Sequence, residues 1–344
     1  MPGKRKSTLV LVAERAGVSI ASVSRVLNGL PASEQLSERV RQAAAELGYV
    51  PDATARSLKV GRTEQIALAV ADVGNPVYVQ MMHEVTRVVT KAGYRLVLSS
   101  TGADPEDQID LLRSLGRGYA DGLLLSPLRI TDPLLEALRA ATIPTVVIGS
   151  LPAGVGLDSV RADSATGISL AVEHLAAHGR RRIGFLNGPV DTVPGAARLR
   201  GYLQAVEREG LTTTADLQVE ASDFTYKAGR KAAARLLDQA TPDAIVCAND
   251  LLAVAATKVL AARGLRIPDD VALVGMDDTD AAELATPSLT SVDLGSRRRA
   301  RAAAKLLLRR LADPDAEPRQ ITIEPSLSVR ESSVVAPAPV EPPA

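Results

Sequence analysis

The chain has 344 residues, with 40 Lys+Arg against 40 Asp+Glu and a formal net charge of zero; taken alone, that balance argues against a protein that simply coats nucleic acid, because phosphate binding runs on excess positive charge. Apolar residues make up 46% and aromatic residues 2%, with no Trp, which is aliphatic material for large cores in a chain long enough for about two or three domains. The one cysteine, Cys247, excludes an intramolecular disulfide framework and a cysteine-cluster metal site. Residues 1–8 are charged and polar, and the apolar stretch that follows is too short and interrupted for a signal peptide. Nowhere do about 18 apolar residues run on without interruption, so a soluble, cytoplasmic protein with no membrane partner is expected.

From the N-terminus, Thr8 is a good N-cap for a helix to about Arg15, ended by Gly17. Ser19 caps a second helix through Leu27, and a third spans about Ser33–Leu47 before Gly48. Two short helices joined by Ala-Gly-Val, with Val12, Ala16, Val18, Val23 and Val26 inward, read as a helix-turn-helix. Val40, Ala44 and Leu47 close its small core. From Gln65 the pattern changes. Apolar strands at Gln65–Ala71, Arg95–Leu98, Gly122–Leu125, Thr145–Ile148, Arg182–Leu186, Ala244–Cys247 and Val271–Val274 alternate with amphipathic helices. Examples of the helices are Tyr78–Ala92, Ala165–His178, Ala196–Glu209, Lys227–Asp238 and Leu251–Arg263. That alternation predicts an α/β fold of βαβ units with parallel strands, too many for one sheet. The Pro/Ala-rich segment 333–344 is expected to be a disordered tail.

The run AERAGVSIASVSRVLNG (Ala13–Gly29), followed by ELGYVPDATARSL (Glu46–Leu58), resembles the DNA-binding head of the lactose-repressor (LacI) family of transcriptional regulators. The family places the N-terminal residues of the second helix at base edges in the major groove. The resemblance thus implies DNA contacts by Thr8, Ser19, Ile20, Ala21, Ser22, Ser24, Arg25 and Asn28. The serines and Asn28 suit phosphates, Arg25 suits bidentate pairing to a guanine, and Ile20 and Ala21 can read only thymine methyls or shape. Ala53–Lys59 resembles the family's hinge helix, which puts Leu58 at the position that wedges into the minor groove, with Ala55 and Lys59 beside it. For Leu58 alone, a linker-helix core role stays open.

The resemblance continues to about Ser332 through DVGNPVY (Asp72–Tyr78), EHLAAHGRRRIGFLNGP (Glu173–Pro189), RLRGY (Arg198–Tyr202), CAND (Cys247–Asp250), PDDVALVGMDD (Pro268–Asp278) and PSLTSVD (Pro287–Asp293). It implies a periplasmic-binding-protein type I core: two doubly wound subdomains, about 63–163 with 293–323 and about 164–292 with 324–332, around a ligand cleft. The head with its hinge then covers 1–62. Ligands in such sheets bind beyond the carboxyl ends of strands, where Asp72, Asn75, Ser126, Asn249, Asp250, Asp277 and Asp278 stand. By resemblance Arg198, Phe224, Asn249 and Asp277 map to effector contacts; with Asp72, Asn75 and Ser126 they form the expected effector site. An Arg with Asn and Asp acceptors and an aromatic suits a hydroxyl-rich ring, so a sugar or sugar derivative is expected. Each has a structural alternative: helix cap for Asp277 or Asp278, ion pair for Arg198, core for Phe224.

His174 and His178 are four apart, but no third ligand accompanies them, so a surface or capping role is expected and no metal. Cys247 reads as a buried hydrophobe. There is no Gly-Lys-Ser/Thr phosphate loop, dinucleotide fingerprint or Ser/His/Asp or Cys/His constellation, so neither an enzyme nor a cofactor is expected. A sugar-binding transport component would share the core but would not need Ala13–Leu58; a sugar-metabolising enzyme would need a catalytic pair. The expectation is a repressor acting on double-stranded operator DNA as a homodimer, since the Pro-rich end cannot form a heptad helix for tetramers. The neutral total then divides: residues 1–62 hold ten basic and five acidic residues, the rest thirty and thirty-five. A basic head faces DNA, and an acidic body does not.

Overall fold

The computed structural model describes residues 8–50 and 61–334, and the chain separates into two compact units, Met1–Thr63 and Glu64–Ala344. The first unit holds α1 (Leu9–Ala16), α2 (Ile20–Leu27) and α3 (Glu34–Glu46). Each starts on a hydroxyl cap: Thr8 accepts from the Leu11 amide at 3.4 Å, Ser19 from Ser22 at 3.1 Å and Ser33 from Leu36 at 3.4 Å, satisfying amides that lack a partner within the helix. Gly17, at φ 61°, ends α1 in the left-handed conformation that costs other residues most. Arg39 of α3 donates to the carbonyls of Ala16 and Gly17 at 2.5 and 3.2 Å, fastening the turn. Val12, Ala16, Val23, Val26, Val40 and Ala44 form the buried centre, with Val18 and Leu47 partly buried against it.

The second unit contains two six-stranded sheets. The first is built from β1 (Gln65–Val70), β2 (Arg95–Ser100), β3 (Gly122–Ser126), β4 (Thr145–Ile148), β5 (Ser159–Ala162) and β11 (Gln320–Ile323), in the order β11-β5-β4-β3-β1-β2, all parallel. The second is built from β6 (Ile183–Asn187), β7 (Gln218–Glu220), β8 (Ala244–Cys247), β9 (Ala272–Met276), β10 (Thr290–Asp293) and β12 (Ser326–Ser328), in the order β12-β10-β9-β8-β6-β7. Its β12 runs antiparallel to β10. Alternate residues of each strand serve opposite faces. On β1, Ile66, Leu68 and Val70 join one core, while Ala67 and Ala69 join the other. In the second sheet Phe185 and Val246 face one helix layer, Leu186 and Cys247 the other.

The helices are α4 (Pro76–Lys91), α5 (Pro105–Leu115), α6 (Asp132–Arg139), α7 (Ser164–Ala177), α8 (Val193–Arg208), α9 (Tyr226–Gln239), α10 (Asp250–Ala262), α11 (Asp280–Leu284) and α12 (Ser296–Ala312). The chain crosses between sheets after β5, after β10 and after β11. The alternation of strands and helices and the need for two sheets hold. Several elements have no counterpart in the sequence reading: β5, β7, β10 to β12, α5, α6, α11 and α12. Asp293, expected to open the return segment of the first subdomain, is instead the last residue of β10, opposite Ser326. Ser333, expected to begin the tail, is 1% exposed. It bonds to Thr290 Oγ1 at 2.7 Å and to His174 Nε2 at 2.8 Å, so the second unit extends past Ser332. His178 Nδ1 lies 2.7 Å from the His174 carbonyl at the end of α7. Among the described residues no His, Cys, Asp and Glu cluster could hold a metal, and no helix is long and apolar enough to cross a membrane.

Candidate functional site

On the head, Thr8, Ser19, Ile20, Ala21, Arg25 and Asn28 are exposed, and Ser22 and Ser24 are partly buried. Much of the polar set already has local partners. Ser19 Oγ and Ser22 Oγ lie 2.9 Å apart, and the Asn28 amide donates to the Ser24 carbonyl at 2.7 Å and to Ser24 Oγ at 3.2 Å. The Arg25 side chain makes no hydrogen bond or ion pair among the described residues and projects from the same helix as Ile20, 48% exposed. By contrast Arg15 is paired to Glu46, with Nε 2.7 Å from Oε2, and Arg39 is committed to the turn. Residues 8–50 carry four arginines against four glutamates. The positive excess of the head therefore lies in its flanks, at residues 4–6 and 56–62. Ala55, Leu58 and Lys59 lie outside the described residues.

In the second unit a cavity opens where the carboxyl ends of both sheets meet, the place where parallel sheets leave backbone groups and helix N-termini available. Its wall includes Asn75, Ser126, Arg198, Phe224, Asn249 and Asp277. Sequence reasoning named those six, and they converge there. The seventh, Asp72, is exposed; its Oδ1 accepts from the Gly74 amide at 2.8 Å. It lines a neighbouring cavity that shares Asn75, Tyr78, Leu128 and Phe224 with the first.

Each side chain has a structural reason for its position. Asn75 caps α4, accepting from the Val77 amide at 3.2 Å, with Pro76 suited to the first helical position. Ser126 ends β3 and donates to the Ile148 carbonyl at 3.2 Å. Asn249 caps α10 by accepting from the Leu252 amide at 2.9 Å, while its amide donates to the Phe224 carbonyl at 2.9 Å. It thus holds the loop that presents Phe224. That ring lies so close over Gly188 that a Cβ there would fall 2.1 Å from it, so only glycine fits beneath. Arg198, in the second turn of α8, stacks its guanidinium 5.5 Å from the Phe224 ring centre and approaches Asp277 at 3.8 Å. Arg198 and Asp277 are 7% and 5% exposed. Arg198 therefore makes the ion pair of its structural alternative while still lining the cavity.

Asp277 and Asp278 follow β9 with φ of 102° and 47°, a left-handed conformation that strains non-glycine residues and gathers at binding sites. The Asp277 amide donates to the Val292 carbonyl at 2.8 Å, which fixes the turn. Asp278 points elsewhere, accepting from Ser328 Oγ at 2.7 Å and pairing with Arg330 at 2.7 Å. Burial pushes the Asp277 carboxyl up, against the pull of Arg198 and Arg299. Burial likewise lowers Arg198 and raises Tyr78. Behind the wall, Asp250 accepts from the Thr279 amide and hydroxyl, both at 2.8 Å, and from Ser291 Oγ at 2.6 Å. Burial, then the neighbouring Asp277 charge, pushes it up to about 7. Cys247 is fully buried and its thiol is pushed up by burial, as expected of a hydrophobe. Sequence reasoning missed Tyr78 and Arg299. Tyr78 stood inside a quoted landmark. Arg299 closes a run of three arginines, which reads as a solvated face.

Contacts beside α8 bridge the two halves of the second unit at the cleft. Arg129, after β3, makes a two-point pair with Asp191, before α8, at 2.8 and 3.0 Å. The Val193 amide donates to the Leu128 carbonyl at 2.8 Å.

A helix-turn-helix unit joined in one chain to a two-sheet unit with a buried polar cleft defines a ligand-binding regulator of transcription. Residues 8–52 match the family of bacterial regulatory proteins, lacI family, and residues 172–333 match the periplasmic binding protein-like domain. The HTH-type transcriptional regulator CelR of Thermobifida fusca is 39% identical over 96% of this chain and 100% of its own. The ribose operon repressor of Escherichia coli (strain K12) is 33% identical over 95% of this chain and 100% of its own. Among solved structures, the lac repressor dimer bound to operator and an anti-inducer superposes with a TM-score of 0.85 at 26% identity, covering 96% of this chain and 100% of that one. The CelR–cellobiose complex gives 0.72 at 37% identity, covering 95% and 99%. The chain belongs to the LacI family of transcriptional regulators.

Proposed function

We propose that this protein is a repressor that binds operator DNA as a homodimer in the cytoplasm and responds to a sugar or sugar derivative held in the cleft. Residues 1–62 read the DNA, and the second unit binds the effector and the partner subunit. In the head, α2 enters the major groove with Arg25 as base reader, because it is the exposed cation there with no competing partner. Ser19, Ser22, Ser24, Asn28 and Thr8 face phosphates, with Ile20 and Ala21 against the base edges. Leu58 wedges into the minor groove, flanked by Ala55 and Lys59. In the cleft, Arg198, Asp277, Asn75 and Ser126 bond the effector's hydroxyls, Phe224 packs against its ring, Asn249 holds that ring, and Asp72 closes the rim. The observation that carries this reading is the buried Arg198–Asp277 pair on the wall of the cavity between the two sheets. A desolvated pair aimed into a cavity gains most when a ligand completes its hydrogen bonds.

Allostery in this reading is a difference in effector affinity between two arrangements of the subdomains. The Arg129–Asp191 pair and the Val193–Leu128 bond stabilise the closed one. The homodimer rests on the free edge of the first sheet. There β2 exposes Val97 and Leu98 at 42% and 41%, an apolar edge that an unpartnered sheet rarely leaves open. The test is Arg198→Ala in the full chain. DNA affinity is expected to stay within about twofold of wild type while ligand response is lost, a hydrogen-bonded charge being worth about 1.5–3 kcal/mol. Loss of DNA binding in this variant would show the arginine to be structural instead.

A further inference from the structure

The charges on the cavity wall do not balance. Its titratable members are Arg198, Arg299, Asp277 and Tyr78. Among the described residues that line it, two guanidinium groups face one carboxylate. They come from opposite sides of the cleft. Arg198 stands on α8, whose Tyr202, Ala205 and Val206 pack into the second sheet. Arg299 stands on α12, whose Ala300, Ala303, Ala304 and Leu307 pack into the first. Both Nε atoms are buried without a hydrogen-bond partner. At Arg299 the Arg198 charge adds to burial in disfavouring the guanidinium, against the pull of Asp277. Two further carboxylates lie within electrostatic reach and are engaged elsewhere: Asp250 by Thr279 and Ser291, Asp293 by the Gly295 amide at 2.6 Å and Arg298 at 3.3 Å.

Like charges held together out of water are unfavourable unless an anion joins them, and a guanidinium fork matches carboxylate and phosphate oxygens geometrically. Tyr78, Ser126, Ser150 and Asn75 add hydroxyl and amide groups to a wall that also carries apolar side chains such as Met81 and Leu128. We infer that the effector is an acidic sugar derivative whose carboxylate or phosphate sits between Arg198 and Arg299, with its hydroxyls on the neutral side chains. This rests on the reading of the cleft as a sugar site and narrows it. Because the two arginines belong to different subdomains, the anion would also draw the cleft closed.

The experiment is a thermal-shift and calorimetric comparison on the full chain. Its probes are neutral hexoses and pentoses, their uronic and aldonic acids, and their phosphate esters. A charged member is expected to bind where its neutral parent does not, and the acid and phosphate arms tell the two anions apart. Arg299→Met should weaken that binding about tenfold or more, the equivalent of one charged hydrogen bond, and Arg299→Lys should recover part of it. Binding confined to neutral sugars, with equal affinity in Arg299→Met, overturns the acidic group and leaves the sugar reading standing. Absence of binding by every probe overturns both.

Discussion

Single residues carry the two specific claims. The Arg25 guanidinium has no partner among the described residues, whereas the hydroxyl and amide groups around it are tied to one another. Arg25→Ala should therefore abolish sequence preference while leaving weak, salt-sensitive DNA binding, measured by competition between a selected operator duplex and a scrambled one; unchanged preference would remove it as a base reader. Asp250 makes a second, independent test. Its folded value is raised to about 7 from an ordinary 3.8, so the folded chain holds a proton that the unfolded chain has lost between those values. Its contribution to stability is fully present below the unfolded value and fades as pH rises towards 7. Asp250→Asn should remove that slope, so the difference in Tm between variant and wild type should move in the variant's favour from about pH 5 to about pH 8. A difference that stays constant with pH contradicts the raised value. All seven proposed effector residues were named from the sequence: Asp72, Asn75, Ser126, Asn249 and Asp277 because each stands at a strand end or cap, where position along the chain fixes position in space, and Arg198 and Phe224 through the family resemblance. Arg299 was not: its two predecessors, Arg297 and Arg298, are exposed, and only the tertiary placement of α12 turns the third inward.

At the scale of elements, caps and strand ends were the easiest features to read. The starts of α1, α2 and α3 follow Thr8, Ser19 and Ser33 because a hydroxyl at that point satisfies a helix amide. Strands β4 and β8 fall on Thr145–Ile148 and Ala244–Cys247 as expected. The short strands β5, β7 and β12, of four, three and three residues, carry too few side chains for a periodic signal, and their pairing is set by distant partners such as β11 with β5. The arginine-rich face of α12 concealed a helix whose alanines fill the core of the first sheet. The end of the second unit shows the same effect: Ser332 and Ser333 are polar, but their hydroxyls are consumed by Leu273, Thr290 and His174. The edge strand β2 yields the test of assembly. Leu98→Glu, at a 41% exposed position, should leave the fold intact and shift the chain from dimer to monomer by analytical ultracentrifugation, with operator affinity falling as the paired heads separate. An unchanged dimer would place the interface elsewhere.

For the whole molecule, charge is the organising quantity. The sum of zero conceals a head of ten basic and five acidic residues and a remainder of thirty and thirty-five. Within the head, the described residues 8–50 are themselves balanced, so the excess sits in the two flanks. Helix α2 would then supply recognition, and the flanks most of the sequence-independent attraction. The second unit, net acidic, would contribute ligand response and pairing but no attraction to DNA. The division is tested most directly by the salt dependence of operator binding, comparing the full chain with a chain that begins at Glu64. The full chain should bind tightly at low salt and lose affinity linearly on logarithmic axes, with a slope of about −0.9 for each phosphate neutralised, and the shortened chain should not bind. Equal binding by both, or no binding by either at low salt, would contradict it.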